Sequence, residues 1–224
     1  MVETTDVYSF LQPNHIVTFM ARNKDNQDIG GFKPEFHSVF ITDRTNLELE
    51  WDNFLARLRL KYPHWAHKVV ARAYVSVNAR DPYKTNKAIV QKVVQRDFDM
   101  SFKELQHMVA SQASRPENAT TKHWLLDCDD MTFDELSAMT EGLLDYTTPD
   151  NGVHAISKTL TGYHVVIDHG FDTRAFLEKY PNVTVKRDAE LFWKSEVADS
   201  DYYNIWPRLD RKYSWHIHDS LTTT

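Results

Sequence analysis

The sequence predicts an α/β protein of the α+β kind, a small mixed or antiparallel sheet with helices packed on it. Three observations carry that expectation. Several segments repeat apolar residues at three- and four-residue spacing, the period of a helix with one buried face. Others alternate apolar and polar residues or run β-branched, the mark of strands. The two kinds follow one another as β, β, α, β, α, α and then β-α-β-β-α-β, an order that suits helices gathered on one face of a sheet.

The elements follow in order. His15–Met20 and Phe36–Thr42 are expected as strands, joined across a polar turn with Gly30 and Gly31. Thr45–Lys61 is expected as a helix, because Leu47, Trp51, Phe54, Leu55 and Leu58 share one face, and Pro63 ends it. In Val69–Val77, Ala73, Val75 and Val77 face one way and Arg72, Tyr74 and Ser76 the other. Tyr83–Gln95 and Ser101–Gln112 are expected as helices, the second opened by a Ser101/Glu104 capping box. Ser114–Thr121 is a polar loop, His123–Asp127 a short buried strand, and Thr132/Glu135 caps a helix to about Tyr146. Val153–Ser157 and Tyr163–Asp168 form a hairpin. A short helix to Tyr180, capped by Asp172 or Thr173, precedes strands at Val183–Arg187 and Leu191–Trp193. From Ser200 onward no period emerges, and an irregular tail is expected.

With 224 residues, 42% hydrophobic and 26% charged, the chain can bury one core, and a single domain is expected. No apolar run approaches the roughly 20 residues that span a bilayer. Met1–Phe10 carries Glu3 and Asp6 and lacks the basic and apolar parts of a secretory signal. The one cysteine, Cys128, excludes a disulfide framework and Cys-rich zinc clusters, so a reducing, cytoplasmic setting is expected. A net charge of −6 means that any nucleic-acid role needs a local basic patch, or metal ions to offset carboxylates.

Two segments carry chemistry. In His123-Trp124-Leu125-Leu126-Asp127-Cys128-Asp129-Asp130, strand alternation puts Asp127 and Asp129 on one side and Leu126 and Cys128 on the other. Two carboxylates at a strand end repel unless a divalent cation stands between them, and oxygen donors suit Mg²⁺ or Mn²⁺. The plainer alternative is a solvated turn in which Asp130 or Thr132 caps the next helix, with Cys128 as a small buried hydrophobe. The second segment runs from Ser157 to Asp168. Lys158, Thr159, Thr161 and Gly162 offer an ammonium, hydroxyls and open backbone N–H groups, the set that grips a triphosphate. His164 shares a face with Val166 and Asp168 and would point into the same cleft. The alternative is a hairpin with a polar tip and a histidine satisfied by a neighbour.

Together the two segments resemble the archaeo-eukaryotic primase superfamily, of the primase-polymerase type, over roughly residues 120–190. Asp127-Cys128-Asp129 is similar to that family's Asp-x-Asp metal motif, and Gly162-Tyr163-His164 to its Gly-x-His nucleotide motif. Asp188 is the candidate for the third acidic residue, with Glu190 as the alternative. The resemblance implies two-metal nucleotidyl transfer in replication or repair. Asp127, Asp129 and Asp188 would hold Mg²⁺ or Mn²⁺ to activate a 3′-hydroxyl and stabilise departing pyrophosphate. Lys158, Thr159 and His164 would bind the nucleoside triphosphate. Arg72, Arg80, Lys84 and Lys87 would face a nucleic acid template, unless they only make a solvated helix face and strand edge.

Two other functions suit the same residues: a metal-dependent nuclease or phosphohydrolase, which needs no triphosphate grip, and a non-catalytic nucleic-acid or protein interaction module using the aromatic residues. Trp215-His216-Ile217-His218-Asp219, near Tyr202, Tyr203 and Tyr213, carries a His-apolar-His pair of the kind that holds a metal for a tyrosine nucleophile; a frayed tail is the plainer reading. His64 and His67 read as surface residues.

Overall fold

In the computed structural model, which describes residues 7–96 and 99–198, the strand-forming segments pair into two antiparallel four-stranded sheets. Along the chain run β1 (Ile16–Ala21), β2 (Glu35–Phe40), α1 (Leu47–Lys61), β3 (Val70–Ser76), α2 (Pro82–Gln95) and α3 (Phe102–Ala113). Then follow β4 (Trp124–Asp129), α4 (Phe133–Gly142), β5 (Val153–Lys158), β6 (Gly162–Ile167), α5 (Arg174–Lys179), β7 (Val183–Arg187) and β8 (Glu190–Val197). The first sheet has the order β2-β1-β3-β8 and the second β5-β6-β4-β7. The α+β expectation therefore holds, with two sheets in place of one.

The local signals act where the sequence puts them. Asn46 caps α1 through the Leu49 N–H, one residue later than expected, and Tyr62 closes the helix ahead of Pro63. Both capping boxes form: Ser101 with Glu104, and Thr132 with Glu135. The helix after Thr132 tightens into a 3-10 turn at Leu143–Asp145. Among the described residues, no helix is long and apolar enough to cross a membrane.

Strand alternation divides the core. Trp51, Phe54, Leu55 and Leu58 of α1 pack with Val17 and Phe19 of β1 and Ala71, Ala73 and Val75 of β3. Leu126 and Cys128 of β4 and Val165 and Ile167 of β6 pack instead beneath Leu136 and Met139 of α4 and Phe176 of α5. Leu125 and Val166 face the other way and join the first core. Helices therefore cover one face of the second sheet, and its other face turns toward the first sheet. The register aligns Asp127 with His164, Leu125 with Val166 and Trp124 with Ile167. That inward face consequently has an apolar middle, Leu125 and Val166, with polar residues at both ends.

The chain passes from the second sheet to the first through Asp188 and Ala189, between β7 and β8. Asp188 adopts φ 50°, a left-handed conformation that short polar side chains tolerate best. Its carboxylate accepts from Arg80 Nη1 at 2.9 Å and Asn78 Nδ2 at 3.2 Å, and Val77 N–H donates to the Ala189 carbonyl at 2.9 Å. Asn78 also brackets His123, accepting from its N–H at 2.8 Å and donating to its carbonyl at 3.1 Å. One polar knot thus ties the end of β3, the start of β4 and the crossover together.

Candidate functional site

Between the two sheets opens a cleft of about 640 Å³. The β4–β6 pair supplies one wall, where alternation brings Asp127, Asp129 and His164 to the same side. The turn between β5 and β6 adds Thr159, Leu160 and Thr161, and β7 adds Lys186. The first sheet supplies the opposite wall from the face away from α1: Met20 of β1, Arg72 and Tyr74 of β3, and Glu190 and Phe192 of β8. Arg22 and Lys24, just past β1, complete the rim. Three carboxylates and four permanent cations therefore share one space.

Asp127 is the best-anchored acid. Its Oδ1 lies 3.2 Å from His164 Nε2, and its Oδ2 accepts from the Lys186 ammonium. His164 Nδ1 accepts the Phe192 backbone N–H at 3.3 Å, so that nitrogen carries no proton and the ring N–H sits on Nε2, facing Asp127. The donated His164 hydrogen bond, with that of Lys186, outweighs burial and holds the Asp127 carboxyl down to about 2, from an ordinary 3.8. A carboxyl depressed by folding stabilises the protein above the unfolded value, and that contribution disappears as pH falls through the folded value. Asp127 is therefore expected to contribute roughly 2 kcal/mol at pH 6 that is lost between about pH 4 and pH 2. Urea unfolding across that range checks it: Asp127→Asn should show a shallower acid dependence than the wild type.

The other predicted site residues fall in different places. Asp129, exposed at the end of β4, accepts the Thr161 hydroxyl at 3.2 Å. Thr159 lines the cleft, but its hydroxyl accepts Gly162 N–H at 3.0 Å and so closes the turn. Lys158 is exposed at the end of β5, outside the cleft lining. Asp188 is also outside the lining, bound into the crossover with Arg80 and Asn78. Glu190, two residues on, faces the cleft: it accepts the Thr18 hydroxyl at 2.7 Å, and burial raises its proton affinity. Glu190 is thus the third acidic residue that the fold brings to Asp127 and Asp129.

Of the four residues considered for template contact, only Arg72 enters the cleft. Arg80 is buried on Asp188, while Lys84 and Lys87 are exposed on α2. Arg22, Lys24 and Lys186 are the cleft cations that the sequence pattern offered no reason to single out. The Asp25 carboxylate, 6% exposed, holds the Arg22 and Arg72 guanidinium groups side by side. Arg72 Nε is buried with no hydrogen-bond partner among the described residues. Cys128 is buried behind the site, and burial with the charges of Asp127 and Asp129 pushes its thiol up to about 12, which rules out a thiolate nucleophile near neutral pH. His64 and His67 are exposed, as expected. Tyr202, Tyr203, Tyr213 and the Trp215–Asp219 segment lie outside the described residues.

The cleft carboxylates ring the space without closing on a point. Their all-oxygen donor set suits a hard divalent cation, and Asp127 must exchange Lys186 for such an ion to use both oxygens. Comparison with protein-family models, curated proteins and solved structures finds no match to this chain.

Proposed function

We propose that the inter-sheet cleft binds a nucleoside triphosphate together with Mg²⁺ or Mn²⁺ and performs nucleotidyl transfer, the activity implied by the primase-polymerase resemblance. The observation that carries the proposal is that one cleft gathers carboxylates and cations together. Asp127 and Asp129 stand on one wall with His164, while Arg22 and Arg72, paired by Asp25, stand on the other with Lys24 at the rim. A polyphosphate bearing a divalent ion needs both kinds of group at once.

Each residue then has a task. The planar forks of Arg22 and Arg72 suit paired phosphate oxygens, and Lys24 adds a point charge. Asp127, Asp129 and Glu190 would hold the metal. That ion would polarise the phosphoryl group and lower the proton affinity of the attacking hydroxyl. His164 presents an N–H from a ring fixed by Phe192, ready to turn from Asp127 to a phosphate oxygen. Lys186, released from Asp127, offers a second cation on the metal side. Tyr74 and Phe192, with ring centres 5.6 Å apart, give the cleft an aromatic floor on which a base can stack.

Titration calorimetry with Mn²⁺ and a non-hydrolysable nucleoside triphosphate tests the proposal. Wild type should bind the triphosphate only with metal. Asp127→Asn/Asp129→Asn should bind neither detectably while keeping its circular dichroism spectrum, and Arg72→Ala should weaken triphosphate binding at least about 10-fold. A folded wild type that binds no triphosphate in the presence of metal overturns the proposal and favours the interaction module. Metal-dependent binding followed by strand or triphosphate cleavage, with no primer extension, assigns the same carboxylates to a hydrolase.

A further inference from the structure

We propose a second, separate metal site, for Zn²⁺, at the opposite end of the same sheet face, built from His123, His154 and Asp168. It lies four residues along β4 from Asp127, about 13 Å at strand rise. His154 Nδ1 stands 3.1 Å from Asp168 Oδ1, and His123 Nδ1 stands 3.6 Å from the same oxygen. One ligand atom from each residue lies within 4.8 Å of the others, the one such group among the described residues. Zinc bonds of 2.0–2.1 Å in tetrahedral array put neighbouring ligand atoms about 3.3 Å apart, and the two nitrogen-to-carboxylate distances fall on either side of that value.

A second observation points to a ligand. Among the described residues His123 Nδ1 is buried and has no hydrogen-bond partner, Asp168 Oδ1 standing 3.6 Å away. The His123 and His154 rings stack at 27° with centres 4.4 Å apart, and the Nδ1 atoms of both approach the same Asp168 oxygen. An unpaired buried nitrogen carries a desolvation penalty, and a cation bound by both rings and the carboxylate removes it. Two imidazoles and one carboxylate are a common protein donor set for zinc with an open fourth position, which suits that ion better than Mg²⁺.

The backbone prepares this constellation. Strand alternation alone would send His154 to the side opposite Ala155. The β5–β6 register shifts between Val153 and Ala155, and the bulge re-aims His154 toward Asp168. Asn78 fixes the backbone of His123 from both sides, and Asp168 N–H donates to the Gly152 carbonyl at 3.1 Å. Phe10 packs edge-on against His154 at 5.6 Å, covering one side of the ring. The His154 side chain stays 44% exposed, which leaves an entry path and room for water as fourth ligand. A bound ion would join β5, the start of β4 and the end of β6, clamping the strand that carries Asp127.

The test uses full-length protein stripped with chelator and titrated with Zn²⁺ against a chromophoric competitor, alongside thermal unfolding. One equivalent should bind to wild type and raise the melting temperature. His154→Ala, at an exposed position, should keep its fold and lose at least about 100-fold in affinity. Asp168→Asn should do the same, and Co²⁺ bound to wild type should give a tetrahedral visible spectrum that both variants lose. Asp127→Asn/Asp129→Asn and His216→Ala/His218→Ala should each retain the site. Zinc binding unchanged in His154→Ala, binding lost in either of the last two variants, or no stoichiometric binding to folded wild type would each overturn the proposal. Triphosphate binding in the cleft is a separate readout, so failure here leaves the cleft proposal standing.

Discussion

Asp188→Ala should lower the unfolding free energy by about 3–5 kcal/mol, because it strands a buried guanidinium. Arg80 is 3% exposed, and its Nη1 donates to Asp188 at 2.9 Å. Its Nε already lacks a hydrogen-bond partner among the described residues, so losing Asp188 leaves the guanidinium with still fewer partners. The same carboxylate accepts from Asn78, whose amide also brackets His123 at the entry to β4. Alanine at φ 50° adds backbone strain on top of the lost ion pair. Asp188→Asn should cost roughly half as much, since it keeps an acceptor and suits the left-handed backbone. Urea unfolding monitored by tryptophan fluorescence measures both, and the alanine variant should melt on the order of 10 °C lower. A metal ligand would behave in the opposite way. A ligand without a buried ion pair relieves carboxylate repulsion when removed and leaves the apo fold about as stable, while metal affinity falls. A stable Asp188→Ala that loses Mn²⁺ binding would return Asp188 to the site in place of Glu190.

Gly162→Ala should cost about 3 kcal/mol and weaken ligand binding in the cleft. Gly162 opens β6 directly opposite Asp129. A Cβ at this position would lie 2.0 Å from the Cys128 carbonyl oxygen and 3.1 Å from Asp129 Cα. Both are backbone atoms, so no side-chain rotation relieves the overlap, and β4 must move away from β6. That displacement separates Asp127 from His164, which face each other across the same pair. The variant should therefore combine a lower melting temperature with a Mn²⁺–triphosphate affinity reduced at least about 10-fold. Wild-type affinity at reduced stability would show that the cleft does not depend on the β4–β6 spacing.

The glycine was legible in the sequence as part of a Gly-Tyr-His segment, but its reason was not. A one-dimensional reading offers Gly162 as a phosphate-binding backbone; the fold uses it for close approach to Cys128. Thr159 shows the same shift, its hydroxyl closing the turn that the sequence marked as a grip. Lys158 is a candidate by the chemistry of its turn, and Asp188 by the family resemblance. Lys158 stands at the end of β5 outside the cleft, and Asp188 lies at a corner whose left-handed backbone carries its carboxylate to Arg80. Sheet order, which no local pattern encodes, put Arg22, Lys24 and Arg72 across from Asp127.

From the sequence alone came the elements and their faces. Alternation sent Asp127 and Asp129 one way and Leu126 and Cys128 the other, and helical spacing gave α1 its buried stripe. These features depend on residues a few positions apart, where the backbone period alone decides direction. Tertiary structure decided which faces meet. By pairing β8 with β3 across some 120 residues, it built the second wall of the cleft and brought in Glu190. By a one-residue bulge in β5 it turned His154 toward Asp168, since a register shift reverses a side chain's face and no periodicity announces it.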